Sequence, residues 1–124
     1  MSNQANGLWG STPFVTDKEF QGLYDDIKFL VKLREYIEGI IKKEKNIIYD
    51  YLLSLVNFAI KYFLNPTKDN LKIIDWYFID LMIKKDKIII RGMFYDLGLF
   101  IEDKVLVEGI LELETRINEM NDSD

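Results

Sequence analysis

The chain has 124 residues, 48% hydrophobic and 30% charged, enough for one domain with its own core and too apolar for a disordered segment. It has neither cysteine nor histidine, which excludes disulfides, thiol chemistry, histidine acid–base catalysis and the usual zinc sites. The net charge is −5, and the excess of acid lies in residues 100–124, where eight acidic side chains face two basic ones. That distribution argues against nucleic acid as a partner.

Residues 1–15 read as a flexible polar arm, with Trp9 and Phe14 as aromatic anchors. No basic and apolar leader opens the chain, and no run reaches the roughly 20 apolar residues of a membrane span. The expectation is therefore a cytoplasmic protein without a membrane partner. Thr16-Asp17-Lys18-Glu19 is a capping box flanked by Val15 and Phe20 as a hydrophobic staple, so a helix begins here. Its apolar residues, Phe20, Leu23, Ile27, Leu30, Val31, Ile37 and Ile41, recur every three or four positions. After the solvated run Lys42-Lys43-Glu44-Lys45, Asn46 caps a second helix. That helix carries Ile48, Tyr51, Leu52, Leu55, Phe58, Ala59, Tyr62 and Phe63, and stops before Asn65-Pro66. The two form a helical hairpin.

Residues 71–83 are apolar on both faces and are read as a strand. The alternative is a third helix over 69–85, with Leu71, Ile74, Phe78 and Met82 in line, followed by a β-hairpin. From Ile88 onward β-branched and aromatic residues dominate. The segment GLFIEDKVLVEGILELE (residues 98–114) reads as two strands joined at Glu102-Asp103-Lys104. Val105, Val107, Leu111 and Leu113 alternate with Glu108, Glu112, Glu114 and Arg116. Gly92, Gly98 and Gly109 support strands, since each weakens a helix by about 1 kcal/mol. The expected fold is α+β, an N-terminal helical hairpin packed on a C-terminal three-stranded antiparallel meander of long strands. A single domain spans 16–120, and 121–124 form an acidic tail.

The residues point to no reaction. None of the serines can meet a histidine, Ser54 with Lys61 is only a formal pair, and the scattered glycines make no phosphate loop. Asp75 and Asp80 lie in an apolar stretch where burial would raise their pKa values. Asp25-Asp26 lacks the ligand spacing of a calcium loop. No catalytic residue, metal ligand or cofactor is assigned. Two small lysine groups, 42–45 and 84–87, would form a basic corner if their turns met. The strongest feature is an acidic strand face, Glu108, Glu112 and Glu114, which would steer and hold a basic protein surface. With Trp9 as an aromatic anchor, these are the expected partner-binding residues.

The expected function is thus a small non-enzymatic binding protein of the inhibitor, immunity, adaptor or chaperone kind. Its partner would be a protein with a basic surface. One alternative is a small-molecule binder or carboxylate enzyme, with Trp76, Tyr77 and Tyr95 in a cleft between sheet and helices. The other is a self-assembling subunit that pairs as a homodimer through an edge strand.

Overall fold

The computed structural model describes residues 17–91 and 99–122. Trp9, Phe14, Tyr95 and the capping threonine Thr16 lie outside the described residues. Four helices and a three-stranded antiparallel sheet follow in the order α1 (Asp17–Ile41), α2 (Ile47–Leu64), α3 (Lys68–Asp80), β1 (Leu81–Lys84), β2 (Lys87–Ile90), β3 (Phe100–Glu102) and α4 (Lys104–Asp122). The α+β class holds, and the sheet runs β1-β2-β3.

The helical hairpin forms as its local signals require. The Asn46 side chain accepts a hydrogen bond from the Ile48 N–H at 3.0 Å, closing the first turn of α2. α2 is long and apolar enough to cross a membrane by length and composition, yet it is the centre of the core. Ile48, Leu52, Leu55, Val56 and Ala59 are fully buried, between α1 on one side and α3 on the other.

Residues 68–80 are helical, which corrects the strand expected over 71–83 and favours the third-helix alternative. Thr67 is the reason at the N-terminus: its hydroxyl accepts from the Asn70 N–H at 3.1 Å. Ile74 is fully buried, whereas Lys72, Asp75, Trp76 and Ile79 are exposed. A strand would turn half of these side chains into the core. The helix needs to bury only one stripe.

The three strands are short. β1 and β2 join through Lys85-Asp86, with Lys85 in the left-handed backbone region at φ 58°. Ile83, Ile88 and Ile101 form one cross-strand row, in which Ile88 and Ile101 are buried, and β2 also packs on α4. The opposite row is Met82, Ile89 and Phe100, and the Lys87 ammonium lies 4.7 Å from the Phe100 ring centroid.

The second correction concerns residues 105–114, expected as a strand and found in α4. Leu106, Val107, Ile110, Leu113 and Ile117 are its buried residues, spaced by one, three, three and four. That is a helical stripe. Val105 and Leu111, half of the apparent alternation, are 54% and 44% exposed. Asp103 starts the helix, its carboxylate accepting from the Leu106 N–H at 3.1 Å. Gly109 marks the crossing with α1, because a Cβ there would stand 2.8 Å from Leu33 Cδ1.

Gly39 provides the contrast, since nothing lies within 4 Å of a Cβ built on it. Gly39→Ala is therefore expected to stabilise the chain by about 0.5–1 kcal/mol through helix propensity. Gly109→Ala is expected to lose that gain or reverse it, because Leu33 must move. Urea midpoints of the two variants check both.

Candidate functional site

Of the three acidic residues expected to act together, the helix keeps Glu108 and Glu112 adjacent and turns Glu114 away. Glu108 and Glu112 lie one turn apart on α4, beside Phe29, Leu33 and Tyr36 of α1. Glu114 points away from both, since six and two residues of helix rotate it by roughly 240° and 200°. Glu112 already has a partner: its carboxylate receives Arg116 Nε at 2.8 Å, while Arg116 Nη1 reaches Asp26 at 2.7 Å. The same guanidinium lies 4.5 Å from the Phe29 ring centroid. This group fastens α4 to α1. Tyr36 does the same nearer the start of α4, donating its hydroxyl hydrogen to Asp103 Oδ2 at 2.9 Å. Burial and the Asp103 carboxylate together hold the Tyr36 phenol above its ordinary pKa.

The other candidates lie on α2 and α3. Of the two aspartates in the apolar stretch, Asp75 is exposed and Asp80 is half-buried. Lys61 stands two turns beyond Ser54 on α2, and its ammonium lies 6.0 Å from the Phe58 ring rather than serving Ser54. Among the described residues no three acidic side chains gather as a metal site.

A groove of about 490 Å³ opens between α2 and α3. α2 contributes Ile47, Asp50, Tyr51 and Ser54, and α3 contributes Ile73, Trp76, Tyr77 and Asp80. Each set has the spacing i, i+3, i+4, i+7, which places it along one helix face. The connection of only three residues between the helices makes them antiparallel neighbours. Tyr51 and Tyr77 form the floor, with ring centroids 5.0 Å apart in an edge-to-face arrangement. The Tyr51 hydroxyl donates to the Tyr77 carbonyl oxygen at 2.7 Å, which locks the floor in place. The walls are apolar and open to water: Trp76 is 74% exposed and Ile47 66%. Isolated exposed apolar residues are ordinary in proteins. A tryptophan and an isoleucine sharing one concave apolar surface are not.

Burial pushes the Tyr51 hydroxyl well above its ordinary value of 10.0, and the Asp80 and Tyr77 groups add to the shift. The phenol is thus a fixed hydrogen-bond donor. Its proton is held more tightly in the folded chain, so the stability it contributes is complete below pH 10 and declines as pH rises beyond that. An alkaline titration of tyrosinate absorbance is expected to show a phenol that ionises only as the protein unfolds, and Tyr51→Phe should remove that component.

The sequence pointed to Trp76, Tyr77 and Asp80 but set the cleft between sheet and helices. The structure brings all three against α2 instead. Ile47, Asp50 and Ile73 were not anticipated. The available signal was an apolar excess on the outer faces of α2 and α3, more than one core can absorb. Comparison with protein-family models, curated proteins and solved structures finds no match to this chain.

Proposed function

We propose that this chain is a non-enzymatic protein-binding domain, of the inhibitor, immunity, adaptor or chaperone kind, that docks its partner in the α2–α3 groove. The carrying observation is Trp76, 74% exposed on the wall of an apolar groove whose floor is pinned by the Tyr51–Tyr77 hydrogen bond. Binding surfaces draw most of their affinity from a few aromatic anchors on pre-organised ground. Asp50 and Asp80 line the same groove and favour a partner with basic groups beside its apolar ones. The tyrosines serve as scaffold: Tyr51 is committed to a backbone carbonyl. The partner chemistry expected from the acidic strand face is kept, and its location moves from α4 to α2 and α3.

The test is affinity capture of the tagged chain from cells of its native host, read by mass spectrometry. Three baits are compared: the natural chain, Trp76→Ala, and Glu108→Gln with Glu114→Gln. The proposal expects one near-stoichiometric protein on the natural and glutamine baits that is absent from Trp76→Ala. Equal capture by Trp76→Ala, or none by the folded natural chain, would overturn it.

A further inference from the structure

The two groove walls carry the same heptad-like spacing, the arrangement that faces a third helix in a bundle. Each wall runs from i to i+7, a length of about 10 Å or two helical turns. Most of the facing side chains are apolar or aromatic, and the surfaces of two helices present no free backbone groups to pair with. An extended peptide laid there would leave its own N–H and C=O groups against apolar side chains, whereas a helix satisfies them internally. Exposed Trp76 and Ile47 make ridges that a helix can straddle.

The groove also has polarity. Because α2 and α3 run antiparallel, the first turn of α2 lies beside the last turn of α3, so Asp50 and Asp80 share one end. The electrostatic influence of Asp80 on Tyr51, one residue from Asp50, agrees with that placement. Ser54 and Ile73, both uncharged, line the opposite end. A helix N-terminus bears partial positive charge, and carboxylates favour it.

We infer that the groove's occupant is a short amphipathic helix of a partner protein. It places two apolar side chains one turn apart against Tyr51 and Trp76. Its N-terminal end, with a lysine or arginine there, lies beside Asp50 and Asp80. This rests on the protein-binding reading above and adds the partner's secondary structure, direction and charge.

The probe is a displayed library of short helical peptides with randomised surface positions, panned against the full chain. The enriched peptides should carry paired apolar residues at i and i+4 preceded by Lys or Arg on the N-terminal side. Labelled copies measured by fluorescence anisotropy should bind the natural chain and lose most of that binding with Trp76→Ala. Asp50→Asn combined with Asp80→Asn should weaken them about tenfold at low salt, and less at high salt. Moving the cation to the C-terminal end should cost a similar factor. Enriched peptides that are proline-rich or acidic, or that ignore both aspartates, would overturn the inference. If a captured partner depends on Trp76 but docks through an extended segment, the helix inference fails and the protein-binding reading stands. If capture is indifferent to Trp76, the protein-binding reading itself fails.

Discussion

Trp76→Ala is expected to abolish most partner binding while leaving the fold intact. The side chain is 74% exposed, and its helix is held by Ile74, by the Thr67 cap and by the Tyr51–Tyr77 bond. An exposed substitution of this kind changes stability by no more than about 0.5 kcal/mol. At a binding surface, truncating a central tryptophan costs about 2 kcal/mol or more, roughly a 30-fold weakening. The two numbers separate function from folding. Calorimetric titration of the captured partner checks the first, and a urea melt of the variant checks the second.

The largest effect on stability is expected from Leu52→Ala. Leu52 is fully buried on α2, which packs between α1 and α3. Its neighbours are fixed by other contacts and cannot close around the missing atoms. α1 is fastened to α4 by the Arg116 group, and α3 is tied to α2 by the Tyr51 hydroxyl. The loss should therefore fall toward the upper part of the range of about 2–5 kcal/mol for such truncations. Against a total of about 5–15 kcal/mol that is a large fraction. The urea midpoint should drop with little change in slope. A loss below about 1 kcal/mol would mean that α2 is not the centre of the core.

The contrast between what sequence revealed and what it hid follows from the range of each signal. α1 and α2 were legible because their signals are local: apolar steps of three and four in both, the Asn46 cap, and a stop before Asn65-Pro66. α3 was ambiguous because its outer face is not wholly polar. Trp76 and Ile79 occupy its outer face, so the polar side that would mark an amphipathic helix is partly apolar. α4 misled twice. Val105 and Leu111 are exposed leucine-like residues that completed a false alternation, and Gly109 mimicked a strand marker. That glycine answers to Leu33 on α1, a contact 76 positions away in the chain that no local pattern displays. The Asp103 cap was the local clue that would have corrected the reading.

The groove was half legible for the same reason. Trp76 and Tyr77 stand out by residue type, but the pairing of α2 with α3 that sets Ile47 and Asp50 beside them is tertiary. Likewise, Glu108, Glu112 and Glu114 form one face only if the backbone is extended. On a helix Glu114 rotates away from Glu108 and Glu112, and Arg116 claims Glu112.

If a protein partner docks between α2 and α3, amide chemical-shift mapping of the isotope-labelled chain with its captured partner will locate the contact residue by residue. The largest shifts are expected within residues 47–54 and 73–80, with α4 scarcely affected. A footprint centred on Glu108, Glu112 and Glu114, with residues 73–80 unmoved, would contradict docking there.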